Sequence, residues 1–437
     1  MEVLRAGIRF SLRERIARQF SSLAIYNYRV YFFGQTVSLI GTWMQTTAQA
    51  WLVLRLTGSP LALGTVTTLQ FLPITVFTLF GGAFADRFPK RRVLMFLQAL
   101  AMLQALALGL LVLTGTVQLW HVYALALWLG TVNAFDGPVR QSFGVELVGR
   151  EHLVNAVALN SSIFNLARIA GPAVAGMAIA TVGMSTAFLL NAASFVAVLG
   201  AYAVMRPAQF HAVPRRQTNG NVLHQVREGI QYSARTPQIA FLFILLAFIG
   251  TFGYNFTVLI PLVAEFLLEV GPKQFGLLTS AMGAGSLIAA LTMAATGRLS
   301  RRNLVIAAIC FVLILGAIAL SKSYYLTAAL LVLLGAASVL FSTTINTTLQ
   351  ILVPDELRGR VMSIFFLLFA GSTPLGGYIT GALAERIGVT DTLLILCGIC
   401  ATGIIVGLAY LYLGDAGRRH EATSRPEPAD GTRRSFP

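Results

Sequence analysis

The chain has 437 residues, 56% of them hydrophobic and 11% charged, with a formal net charge of +15. A domain surrounded by water carries about a quarter charged residues, so lipid rather than water solvates most of this surface. A lipid-spanning β-barrel is excluded as well: runs such as 99–113 and 326–340 are continuously apolar where barrel strands would alternate.

In chain order, a basic amphipathic arm (residues 1–29) comes first, without the small-residue cleavage site of a secretory signal. Apolar runs near the ~20-residue length of a spanning helix follow. They lie at 30–54, 61–85, 92–114, 119–137, 155–181 and 184–205, then at 239–268, 274–297, 303–321, 324–350, 359–385 and 391–413. A polar central loop, 206–238, separates the sixth run from the seventh and holds an amphipathic helical stretch over 222–234. The tail, 414–437, is polar, contains Pro426 and Pro428, and is expected to be disordered. The expected fold is an all-α polytopic membrane protein of twelve transmembrane helices. They form two pseudo-symmetric six-helix bundles, 30–205 and 239–413. Trp51, Trp120, Tyr324 and Tyr325 fall near span ends, where amphipathic rings favour the interface.

The charge distribution orients the chain. With both termini in the cytoplasm, the 32 Lys and Arg all fall on the cytoplasmic side except Arg55, Lys273, Lys322, Arg386 and the intramembrane Arg168. This satisfies the positive-inside rule at every loop, as expected of a multi-pass chain of the cell (inner) membrane with both termini cytoplasmic. The net charge is spread over short loops, so no nucleic-acid partner is needed to explain it. The expected partners are the lipid bilayer and a small-molecule substrate, and the chain is expected to act as a monomer.

The two halves repeat. Leu147, Val148, Glu151, Gly171, Gly176 and Gly183 recur at an offset of 205 as Leu352, Val353, Glu356, Gly376, Gly381 and Gly388. Tandem six-span halves are an architecture of secondary transporters, which bind substrate between the halves near the midplane.

The most specific motif is Gly81-Gly82-Ala83-Phe84-Ala85-Asp86-Arg87-Phe88-Pro89-Lys90-Arg91-Arg92. It resembles the loop signature of the major facilitator superfamily. Further stretches carry the resemblance: Ser38-Leu39-Ile40-Gly41-Thr42-Trp43, Asp136-Gly137-Pro138-Val139-Arg140-Gln141, Asn155 to Asn160, Gly171-Pro172, and Arg358-Gly359-Arg360 with Pro374-Leu375-Gly376-Gly377. Together they look like the bacterial secretion-effector, enterobactin-exporter-like branch of that superfamily. Drug antiporters of the superfamily carry an arginine in helix 4. The stretch Tyr123–Asn133 has none, so the resemblance leaves proton coupling open.

An acid ending an inward-running helix is tolerated where it meets another helix's N-terminus. Asp86 is therefore expected to face the start of the eleventh span, with Gly82, Asp86, Arg87, Arg91, Arg358 and Arg360 forming a conformational latch. Arg168 is the only cation deep in a span, where a charge costs about 3 kcal/mol. It is read as an anchor for an anionic substrate or a gate, or as a structural tie to a carbonyl or to Asp136. Asp136 is itself expected to pair with Arg140 one turn on, and Pro172 to bend the fifth span. The resemblance implies that helices 1, 4, 7 and 10 line the cavity. The candidate lining residues are Gln45, Gln49, Asn133, Asn165, Arg168, Tyr254, Asn255 and Asn346, with Trp43 and Phe252 as aromatic walls. Each polar residue alone could equally be interhelical glue.

No phosphate-cradling loop, metal-spaced histidines or other cofactor signature is present. Cys397 and Cys400 form a CxxC inside an apolar span and, like Cys310, read as small fillers. The leading functional reading is export of a small amphipathic organic compound (siderophore, drug or metabolite) by alternating access. Uptake is the alternative within transport. A non-transporting scaffold or a membrane enzyme is the alternative outside it.

Overall fold

In the computed structural model the backbone is described for residues 20–85, 88–211, 222–296 and 300–424, with side chains at 78–85, 222–226 and 414–424 excepted. The described residues are almost entirely helical and contain no strand. The first half comprises α1 (Tyr26–Thr57), α2 (Pro60–Ala85), α3 (Lys90–Leu113), α4 (Leu119–Val148), α5 (Leu153–Thr181) and α6 (Met184–Val204). An amphipathic helix, α7 (Val222–Arg235), leads into the second half. There α8 (Pro237–Leu245) and α9 (Phe256–Leu262) share one span, and α10 (Pro272–Thr296), α11 (Arg301–Leu320) and α12 (Tyr324–Leu352) follow. Then α13 (Asp355–Phe369) and α14 (Thr373–Ile387) share another span, and α15 (Val389–Ser424) closes the fold.

Ten of these rods, counting α8–α9 and α13–α14 as one each, are apolar enough over 18 residues to cross a bilayer. Besides the short amphipathic α7, the exceptions are α1 and α4, which have the length, at 32 and 30 residues, but carry polar residues along them. The protein is an all-α polytopic membrane protein. Two spans expected to be continuous are interrupted. The seventh loosens into π turns over Leu246–Gly253 and breaks at Tyr254–Asn255, beside Gly250 and Gly253. The eleventh breaks at residues 370–372, where Gly371 leaves α13 and Pro374 opens α14, a position that suits its missing N–H. At the C-terminus α15 continues helical to Ser424, past the expected end of the last span at 413.

The sequence repeat is a structural repeat. Gly171 presses on α1 and Gly376 on the seventh span. A Cβ on Gly171 would lie 2.9 Å from the Ile40 carbonyl, and one on Gly376 2.8 Å from Asn255 Oδ1. Gly176 and Gly381 instead face the opposite half. Gly176 meets Gly276 of α10, and Gly381 meets Gly64 of α2. Gly183 and Gly388 take positive φ, +119° and +83°, at the turns entering the last helix of each half. The shared glycines thus mark the same three tasks twice.

Candidate functional site

Two seams join the halves, both near the end that carries Pro60, Pro272 and Ile387. In the first, α2 packs on α14 through Gly64 and Gly381; a Cβ on Gly64 would lie 2.6 Å from the Gly377 carbonyl. Hydroxyls of α2 reach carbonyls at and just after the break between α13 and α14. Thr68 Oγ1 donates to the Pro374 carbonyl at 2.8 Å, and Thr75 Oγ1 to that of Gly371 at 3.3 Å. Glu385 accepts from Ser59 Oγ (2.8 Å) and from the Leu61 N–H (3.2 Å), so it caps the start of α2 from the other half. In the second seam α5 packs on α10. Gly176 and Gly276 are in backbone contact, and Ser280 Oγ donates to the Ile169 carbonyl at 2.6 Å, one residue past the carbonyl that Pro172 leaves unpaired. Between the seams the buried Trp51 stacks on Phe275 (centroids 5.4 Å apart, 19° between planes), and Arg55 covers Trp51 and reaches Glu265 at 3.8 Å. Among the described residues, substantial packing between the halves uses α1, α2, α5, α9, α10 and α14, and none of it uses α4, α12 or α13.

Directly under this seal lies a cavity between the halves. Trp43, Thr46, Thr47 and Ala50 of α1, Arg168 of α5, Tyr254, Phe256, Thr257, Ile260 and Pro261 of the seventh span, and Phe275, Thr279 and Met282 of α10 line it. Its floor is aromatic. Tyr254 stacks on Phe311 (5.5 Å, 12°), touches Phe256 and Phe369, and donates its hydroxyl to the Ser338 carbonyl at 2.5 Å. The Arg168 guanidinium lies 6.0 Å from the Trp43 ring centroid, and Phe164 stands edge-on to that ring at 5.6 Å. Among the described residues no carboxylate pairs with Arg168. The lining offers one cation, one phenol, threonine hydroxyls and apolar rings. That arrangement binds and orients; it holds no nucleophile–base pair for covalent chemistry.

Of the expected lining residues, Arg168 and Tyr254 reach this cavity, as does Trp43. Gln45 and Gln49 do not. They are 2% and 4% exposed and lie on the face of α1 opposite Trp43, Thr47 and Ala50. Gln45 donates to Gln104 of α3 (2.8 Å) and accepts from Asn191 of α6 (2.7 Å), and Gln49 donates to Gln70 of α2 (3.3 Å). They are interhelical glue. Asn255 is 1% exposed and donates to the Thr251 carbonyl at 2.7 Å, within the break of its own span. Asn165 bonds the Ser161 carbonyl and Asn346 bonds Gln350; these two, Asn133 and Phe252 are absent from the lining. Helices 1, 5, 7 and 8 form the walls, in place of 1, 4, 7 and 10. Thr46, Thr47, Thr279 and Phe275 were missed, although Thr46 and Thr47 flank the Trp43 face.

Asp136 holds Arg140 at 2.6 Å and accepts from Gln98 at 2.9 Å, as part of the first half's interior rather than as a tie to Arg168. Of the latch residues, Asp86 and Arg87 lie outside the described residues, as do the surroundings of Gly82. Arg91 donates to the Tyr202 (2.6 Å) and Ala203 (2.9 Å) carbonyls and closes the C-terminus of α6. Arg358 pairs with Asp355, and Arg360 with Glu228 of α7, each at 2.5 Å. Cys397 and Cys400 are buried against backbone carbonyls, whereas Cys310 is exposed on α11.

The family described as "Transmembrane secretion effector" matches residues 17–429. A multidrug efflux pump, Tap, of Mycolicibacterium fortuitum is 31% identical over 369 residues, 82% of this chain and 88% of its own length. A staphyloferrin A transporter of Staphylococcus aureus is 26% identical (84% and 92%), and an enterobactin exporter of Escherichia coli is 24% identical (92% and 94%). Among solved structures, a bacterial homologue of the human lysosomal transporter Spinster, captured inward-facing and unoccupied, superposes with a TM-score of 0.65 at 14% identity over 92% of this chain and 98% of that one. A POT family transporter superposes with a TM-score of 0.70 at 13% identity over 89% and 96%. At such identities the likeness is one of fold. The chain belongs to the transmembrane secretion effector family of major facilitator transporters.

Proposed function

We propose that the chain exports a small amphipathic organic compound from the bacterial cytoplasm by alternating access, with both termini cytoplasmic. The observation that carries this reading is the cavity between the halves, sealed at one end by two glycine seams that repeat the same contact in each half. The span ends that the arginine-rich loops join lie opposite the seal, and by the positive-inside rule we read that end as cytoplasmic and the state as inward-facing. The lining is mainly apolar with a few fixed polar groups, the character of sites that bind small organic molecules. The relatives named as efflux pump and enterobactin exporter support the outward direction. The test is accumulation of radiolabelled amphipathic compounds by everted vesicles from cells expressing the protein. Saturable accumulation in everted but not right-side-out vesicles is expected; the reverse pattern would make it an uptake system.

A further inference from the structure

We infer that the substrate is an organic anion of single negative charge on a planar apolar body, with the charge held by Arg168 and the body lying against Trp43, Tyr254 and Phe275. This deepens the export reading and rests on it for the word substrate. Four observations carry it.

Arg168 lines the cavity and, among the described residues, pairs with no carboxylate. Asp136, the acid that the sequence offers as its partner, is committed to Arg140 and Gln98. A cation kept at membrane depth without a counter-charge calls for an anion from elsewhere.

The scaffold does not require the charge. At the offset of 205 that superimposes the glycines, Arg168 corresponds to Thr373, at the start of α14. The same position in the other half therefore packs with a hydroxyl. The charge is an asymmetry laid on a symmetric frame.

The backbone at Arg168 is fixed. A Cβ on Gly283 would lie 3.1 Å from the Arg168 carbonyl, and Ser280 bonds the next carbonyl at 2.6 Å. Both contacts cross between the halves in the second seam, so an anion bound at the guanidinium sits where the conformational change is made.

The remaining walls select the body. Flat rings on α1, the seventh span and α10 surround the cation, and the Trp43 face lies 6.0 Å from the guanidinium carbon. One cation neutralises one charge. A polyanion would enter with charges unpaired, and an organic cation would meet Arg168 with no acid among the lining residues to offset it.

The test uses the full-length protein in lipid nanodiscs and equilibrium dialysis of three probes of one shape: 2-naphthoate, 2-naphthamide and 2-naphthylmethylammonium. The wild type is expected to bind the carboxylate at least tenfold more tightly than the amide and to bind the ammonium weakest. Arg168→Gln should bind carboxylate and amide alike, and Arg168→Lys should keep a smaller preference, because lysine lacks the planar fork. Equal binding of carboxylate and amide by the wild type, a preference that survives Arg168→Gln, or no binding of the carboxylate overturns the inference. The wild-type comparison decides even if a variant fails to fold. The two readings fail separately. Charge-selective binding without vesicle accumulation would sink export alone, and accumulation indifferent to charge would sink the anion alone.

Discussion

Gly276→Ala separates the sealed state from the state that must follow it. A Cβ at Gly276 would lie 3.0 Å from Gly176 Cα and 3.1 Å from Gly176 N, with the Pro172 carbonyl closer still. These neighbours are backbone, so they cannot rotate away. Relief of such overpacking costs about 1–3 kcal/mol. Only the sealed state contains the contact, so the ratio of unsealed to sealed molecules should rise about 5- to 150-fold. The gain in helix propensity from glycine to alanine, about 1 kcal/mol, applies to both states and cancels in the ratio. Gly200→Ala is the control, because a Cβ there meets nothing within 4 Å. The assay is double electron–electron resonance between spin labels at Val182 and Tyr325, 72% and 83% exposed and on different halves at the sealed end. The variant should populate a longer distance that the wild type and the control populate little. An unchanged distribution in a well-folded Gly276→Ala protein would refute the argument that this seam closes the cavity.

Glu385→Gln removes a carboxylate from the start of α2 and should shift the same equilibrium more weakly, about 2- to 5-fold, because such helix-end charges contribute roughly 0.3–1 kcal/mol at a surface; the same labels read it. Asp136→Asn leaves the partly buried Arg140 without its counter-charge and should destabilise by up to about 3 kcal/mol, lowering the melting temperature in detergent, whereas Asp136→Leu with Arg140→Leu should recover most of the loss. Cysteines at Thr46 and Thr257, in an otherwise cysteine-free protein, should react with a polar maleimide, and one at Gln45 should be protected; labelling at Gln45 equal to that at Thr46 would reverse the assignment of faces on α1. Reporter fusions after Arg92 and Arg216 should read cytoplasmic and one after Thr116 external; a cytoplasmic reading at Thr116 would overturn the orientation.

The membrane class and the spans are legible because apolar length is a one-dimensional property of the chain. The repeat is legible for a related reason. Gly171, Gly176 and Gly183 serve backbone approach and backbone conformation, which no other side chain can replace, so they recur at a fixed offset. The cavity is less legible. Gln45 and Gln49 carry the same composition signal whether they face water or Gln104, Asn191 and Gln70, and only the rotation of α1 decides. The eighth span, α10, contributes Phe275, Thr279 and Met282, residue types common in any span, and what places them at the cavity is the Gly176–Gly276 approach between halves. The breaks at Tyr254–Asn255 and at residues 370–372 have local causes in Gly250, Gly253, Gly371 and Pro374. The pairing of carbonyls at the second break with Thr68 and Thr75 across the seam depends on tertiary contact. Arg168 stands out in sequence because a lone charge in a span is costly. Its separation from Asp136 follows from the packing of α3 against α4, which brings Gln98 to that acid.

Alternating access is the central claim, and labelling of one cavity residue from both membrane faces tests it most directly. A cysteine at Thr257, with cysteines at Ser59 and Glu385 available for a short reversible cross-link, should react with an impermeant maleimide applied to intact cells and, separately, to everted vesicles. Cross-linking Ser59 to Glu385 locks the first seam. It should abolish labelling of Thr257 from outside while preserving labelling from the cytoplasmic face, and reversal of the cross-link should restore both. Labelling from outside that survives the cross-link, or a Thr257 cysteine that never reacts from outside in the uncross-linked protein, would contradict the account.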